Sequence, residues 1–145
     1  MTSGPIPFNV KAMKHILSVD DEAPVRLLLE KILQSAGYRV TSVADGMAAI
    51  KAVREDPPDL AICDLSMPGM DGFSVCSMLK RTRTFKAPIL VLSGRVAEKD
   101  IEAALKSGAD AFIHKPVERD KLLAAVAEWL VEGEKRAASG DDSDS

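Results

Sequence analysis

Cysteine is scarce in this sequence: 145 residues contain only two, Cys63 and Cys76. Both lie inside apolar runs and read as small buried hydrophobes, not as the framework of a secreted disulfide-bonded fold. Long apolar stretches are missing as well, none approaching the ~20 residues of a membrane span. Met1 to Met13 has neither the basic opening nor the apolar core of a secretion signal. Excess charge of either sign is also missing. With 19 Lys+Arg against 22 Asp+Glu, the net charge of −3 offers no broad attraction for nucleic acid or anionic lipid. Neither GxxxxGKS/T nor GxGxxG occurs, which removes the usual warrants for nucleoside triphosphate hydrolysis and dinucleotide redox chemistry. His15 and His114 have no companions at ligand spacing, so no zinc site is indicated. The remainder, 46% hydrophobic and 28% charged, has the balance of an ordinary globular domain. The expectation is a soluble cytoplasmic protein.

Five short apolar runs alternate with five amphipathic patterns. The runs are His15 to Val19, Tyr38 to Val43, Asp59 to Cys63, Pro88 to Ser93 and Ala109 to Ile113. Between the first two, Val25, Leu28, Leu29, Ile32 and Leu33 recur at helical spacing, with Pro24 suited to the first turn and Gly37 to the exit. Ala49, Ile50 and Val53 mark a second helix from about Gly46 to Glu55, stopped by Pro57-Pro58. Val75, Met78 and Leu79 mark a third behind the turn Pro68 to Gly72, with Asp71 as its candidate cap. Ile101, Ala104 and Leu105 mark a fourth, ended by Gly108. Leu122, Leu123, Val126 and Leu130 mark a fifth, in which Trp129 is a packing or partner-face residue. Strict alternation with uniformly apolar strands predicts an α/β fold, an open doubly wound parallel sheet of five strands with five helices. Residues 1–13 read as a flexible N-terminal extension, 14–132 as the domain, and 133–145 as a flexible, finally acidic tail.

In such a sheet the residues after each strand converge on one rim, where ligands bind. Here they are Asp20 and Asp21 after the first strand, Asp64 after the third, Ser93 at the end of the fourth and Lys115-Pro116 after the fifth. Taken singly, the acids are helix caps or turn residues, Ser93 a turn hydroxyl and Lys115 a surface lysine. Together, three carboxylates at one edge repel unless a cation shares the site, and oxygen donors select a hard divalent ion such as Mg²⁺. A phosphate-binding flavodoxin-like site fits poorly, because acids stand where a phosphate loop should be. Lys115-Pro116 is also a candidate cis peptide.

The set resembles the receiver domains of two-component response regulators, the CheY-like family, over about Lys14 to Glu132. The motifs are Asp20-Asp21 behind an apolar strand, Asp64 followed by Met67-Pro68-Gly69-Met70-Asp71-Gly72, the hydroxyl of Ser93, the aromatic Phe112, and Lys115-Pro116. The resemblance implies strand order 2-1-3-4-5 and a phosphorylation switch that is not otherwise an enzyme. Asp64 would accept a phosphoryl group from a sensor histidine kinase or histidine phosphotransfer protein. Asp20, Asp21, Asp64 and the backbone carbonyl of Ser66 would hold Mg²⁺, and Lys115 and Ser93 would hold the phosphoryl oxygens. Ser93 and Phe112 would carry the switch to a face built from the fourth helix, fifth strand and fifth helix. Ser66 and Arg95 would tune phosphoryl lifetime. With no length left for an output domain, the expectation is a stand-alone receiver acting on a downstream protein, without direct nucleic-acid contact or membrane insertion. The alternatives are a phosphorylation-independent interaction module and an Mg²⁺ phosphohydrolase with an aspartate nucleophile. The latter usually has a second Asp two residues on, where this chain has Ser66.

Overall fold

The computed structural model describes residues 13–65, 72–94 and 98–139. In chain order the elements are β1 (His15–Val19), α1 (Ala23–Ser35), β2 (Arg39–Val43), α2 (Gly46–Glu55), β3 (Leu60–Asp64), α3 (Gly72–Lys80), β4 (Ile89–Ser93), α4 (Glu98–Lys106), β5 (Ala111–His114) and α5 (Arg119–Ser139). The strands pair in parallel in the order β2-β1-β3-β4-β5, the doubly wound arrangement that the five apolar runs predict.

Every residue of β1, β3 and β4 is buried, while the edge strands β2 and β5 are partly open. Successive side chains point to opposite faces of a strand, so each central strand feeds two cores. Leu17, Ala61, Cys63, Ile89 and Val91 pack with Val53 of α2, Leu79 of α3 and Ala104 of α4. Ile16, Ile62, Leu90 and Leu92 pack on the other side with Leu33 of α1 and Leu122, Val126 and Leu130 of α5. Helix ends follow their local chemistry. Pro24 lies in the first turn of α1, Gly37 leaves it at φ +96°, and the Asp45 carboxylate accepts the Ala48 N–H at 2.8 Å to cap α2. Asp71, the candidate cap of α3, lies outside the described residues.

Two boundaries differ from expectation by two residues or more. β5 begins at Ala111, not Ala109: the Ala109 N–H returns to the Ala104 carbonyl at 3.1 Å, and the Asp110 carboxylate accepts the Ile89 N–H at 2.8 Å. The flexible tail expected from residue 133 is helical to Ser139, because its polar residues are anchored to the strand-start edge of the sheet. Lys14 Nζ lies 2.7 Å from a Glu134 carboxylate oxygen, and Arg136 Nη1 lies 3.1 Å from Asp110 Oδ1. The Arg136 guanidinium also sits 5.5 Å from the centre of the half-buried Trp129 ring. Gly133 lets the helix pass Pro88, whose ring carbon a Cβ would meet at 3.2 Å.

Candidate functional site

The sheet ladder continues just past the strands and thereby fixes the rim. The Asp20 N–H donates to the Val43 carbonyl at 3.1 Å, Leu65 N–H to Leu92 at 3.1 Å, and Lys115 N–H to Ser93 at 2.9 Å. Asp64 is the last residue of β3 and Ser93 the last of β4, opposite His114 of β5. The Lys115-Pro116 peptide is cis.

Asp20, Asp21 and Asp64 each bring a carboxylate oxygen within 4.8 Å of the other two. Asp20 and Asp64 are almost wholly buried, and Asp21 is the more open. Lys115 Nζ reaches in to 2.9 Å from Asp64 Oδ1 and 3.7 Å from Asp20 Oδ2. Asp20 Oδ1 accepts the Glu22 N–H at 2.9 Å, and Arg26 Nη1 donates to the Asp20 carbonyl at 2.8 Å. Ser93 is fully buried beside them.

Burial pushes the Asp20 carboxyl above the usual carboxylate range, and its repulsion from Asp64 adds to this against the Glu22 N–H bond and the Lys115 charge. Burial alone would lower Lys115, but its close ion pair with Asp64 and the charges of Asp20 and Glu22 outweigh it and raise the ammonium. Burial leads the first shift and the neighbouring carboxylates carry the second. Buried Asp20 Oδ2, Asp21 Oδ1 and Asp64 Oδ1 have no hydrogen-bond partner among the described residues; the lysine approaches two of them as an ion pair. Three converging carboxylates with unspent lone pairs and one lysine suit a hard divalent cation.

Ser66 and Arg95, and the turn Met67 to Asp71, lie outside the described residues. Phe112 is half-buried against the core on the α2–α4 side, its ring centre 5.1 Å from that of exposed His114. His15 is buried at the opposite end of β1, its Nε2 2.7 Å from Thr41 Oγ1. Two contributors escaped sequence reasoning. Arg26 holds the turn that aims Asp20, and an arginine on an amphipathic helix gives no hint of this. Gly72 starts α3 against the end of β3: a Cβ there would run into the Asp64 carbonyl and come within 2.6 Å of Leu65 Cα. A glycine in a turn signal was legible, but not the neighbour it makes room for.

A parallel doubly wound sheet whose rim gathers acids, a lysine and a buried serine defines a two-component signalling domain. The chain belongs to the response regulator receiver domain family, whose model matches residues 16–127. Domains of this family are phosphoacceptor signalling modules, not classical enzymes, and bind Mg²⁺ at their acidic pocket. Over 125 residues the chain is 37% identical to the transcriptional regulatory protein AfsQ1 of Streptomyces coelicolor, covering 86% of this chain and 55% of that protein. It is 41% identical over 109 residues to the transcriptional regulatory protein TcrA of Mycobacterium tuberculosis, covering 75% and 43%. The chain thus spans about half the length of the curated relatives it matches. Among solved structures, a CheY-like receiver domain protein from Methanospirillum hungatei superposes with a TM-score of 0.80 at 29% identity, covering 86% of this chain and 98% of that one. The receiver domain of the sensor histidine kinase PA1611 from Pseudomonas aeruginosa, solved with a magnesium ion coordinated in its active-site cleft, gives 0.74 at 30% identity, covering 81% and 98%. No helix among the described residues is long and apolar enough to cross a membrane.

Proposed function

We propose that Asp64 accepts a phosphoryl group from a phosphohistidine on a sensor kinase or phosphotransfer protein, and that the modified domain presents an altered surface to a downstream protein. The observation that carries this reading is the 2.9 Å approach of Lys115 to the buried Asp64 carboxylate, with Asp20 and Asp21 within 4.8 Å. An Asp64 oxygen forms the new O–P bond as the P–N bond breaks; the imidazole leaves with the bonding electrons and takes a proton from solvent. Such transfer asks mainly for positioning and charge neutralisation. Asp20, Asp21 and Asp64, with the Ser66 carbonyl, would hold Mg²⁺, which supplies a counter-charge for the phosphoryl oxygens. Lys115 needs only to keep its place: its ammonium passes from the carboxylate to a phosphoryl oxygen on the same residue. Arg26 and the Glu22 N–H hold Asp20 in register.

The signal leaves through buried Ser93, whose hydroxyl closes on the phosphoryl group, and through Phe112, which is half-buried against the core. The face of α4, β5 and α5 changes with them. Ser66 and Arg95 set how long the phosphoryl group survives, and the domain assists its own phosphorylation and hydrolysis. The test is incubation with acetyl phosphate and Mg²⁺ followed by intact-mass measurement. One phosphoryl adduct that disappears in Asp64→Asn supports the assignment; no adduct, or one that persists in that variant, rejects it.

A further inference from the structure

Away from the acidic rim, α2 and α3 enclose a surface trough. Two adjoining cavities of about 480 and 580 Å³ share Ile50, Arg54 and Met78, so they form one continuous groove along the two helices. Its floor is apolar: Ile50 is buried, Met78 is half-buried, and Met47 stands 66% exposed at one end. Four exposed cations border it, Lys51 and Arg54 from α2 and Arg81 and Arg83 from the segment after α3, against the single acid Glu55. No ion pair engages any of the four among the described residues, although this chain carries more acids than bases. Elsewhere Lys14, Arg39 and Arg136 are paired with acids, while other exposed cations such as Lys31 and Lys135 have no ion pair among the described residues but do not border the groove. The groove therefore concentrates unspent positive charge around an apolar strip.

We infer that this groove docks an acidic amphipathic helix of a partner protein, its apolar side chains on Met47, Ile50 and Met78 and its carboxylates on Lys51, Arg54, Arg81 and Arg83. Charge complementarity selects the occupant's sign, and the floor selects its kind. An amphipathic helix offers apolar anchors at i, i+3, i+4 and i+7 with charges beside them, and methionine lets the floor fit more than one such surface. A nucleic acid would leave the apolar strip unused, and the groove has no aromatic side chain on which a base could stack. A small anion would use one or two arginines and none of the floor. Docking here leaves the acidic rim and the α4–β5–α5 face free, so a bound partner and phosphorylation can coexist.

The experiment is a titration of the ¹⁵N-labelled full chain with a synthetic helical peptide bearing leucines at i, i+3, i+4 and i+7 and glutamates beside them. A scrambled peptide of the same composition and a duplex oligonucleotide serve as comparisons. Amide shifts confined to residues 46–55 and 75–85, with binding about tenfold weaker in Arg54→Glu/Arg81→Glu/Arg83→Glu and several-fold weaker in Met47→Ser, are expected. All four sites are exposed, and unchanged thermal unfolding of the variants confirms that the fold is intact. Equal affinity for the scrambled peptide, tighter binding of the oligonucleotide, shifts on other elements, or self-association through this face would each overturn the inference.

Discussion

Replacing Asp20 by Asn is expected to make the metal-free protein more stable while disabling its response to Mg²⁺. At an effective dielectric constant of about 20, two carboxylates at the 4.8 Å outer limit of this cluster repel by about 3.5 kcal/mol, and an ammonium at 3.7 Å returns about 4.5 kcal/mol. Asp20 faces two carboxylates and one lysine, so its charge is unfavourable by about 2.5 kcal/mol before screening at the open side. The realised gain on neutralising it is about 1–2 kcal/mol. Asn keeps the bond that holds the turn, its carbonyl oxygen accepting the Glu22 N–H held at 2.9 Å, and gives up the ion pair with Lys115 while placing an amide donor among the carboxylates of Asp21 and Asp64. For a domain of this size the melting temperature should rise by roughly 4–8 °C in EDTA. Mg²⁺ at about one hundred times its Kd should add about 2.7 kcal/mol to the wild type and less than half of that to the variant. The pH sign follows from the raised Asp20 pKa. The penalty of its charge is fully present above that pKa and is relieved as pH falls through it, so the variant's advantage should shrink on acidification. Urea unfolding with and without Mg²⁺ across pH decides the matter. A variant less stable than wild type in EDTA, or one that keeps the full Mg²⁺ response, refutes the charge-repulsion account of this site.

The other expectations are simpler. Gly72→Ala should cost about 2 kcal/mol or more in urea unfolding and reduce acetyl phosphate labelling, since its Cβ must displace the end of β3. The Cys63 thiol, raised well above its usual range by Cys76 and by complete burial, should not react with iodoacetamide until the protein unfolds. Asp56, lowered by its hydrogen bond with Arg39 but about half exposed, should contribute no more than about 0.5 kcal/mol; Asp56→Asn should remove it. That contribution is present above the ordinary carboxylate range and vanishes as pH falls through the lowered pKa, which thermal melts between neutral and acid pH will register.

The sheet was legible because its central strands are buried on both faces and so are apolar without interruption, and the helices because each shows one apolar stripe. The rim was legible for a different reason: a parallel sheet sends all its strand ends to one edge, so Asp20, Asp64, Ser93 and Lys115 could be gathered without knowing any distance. What periodicity could not carry was pairing across the chain. Glu134 and Arg136 look like a solvated tail until Lys14 and Asp110 come beside them. Arg26 looks like an outward residue until the Asp20 carbonyl turns toward it. Likewise the start of β5 depended on Asp110 being engaged by Ile89.

The anchored end of α5 bears on where this domain can be cut or joined. The family match stops at residue 127, yet the helix continues to Ser139, about 18 Å further at 1.5 Å per residue. Cleavage at the shorter limit would uncover Pro88 where Gly133 passes it, leave Lys14 without Glu134 and take Arg136 away from Asp110. Kept whole, the helix acts as a stiff strut bolted to the pole opposite the acids. A label or fused domain placed after Ser139 would therefore inherit a fixed bearing on the rim, and distances measured from it would report rim movement without slack.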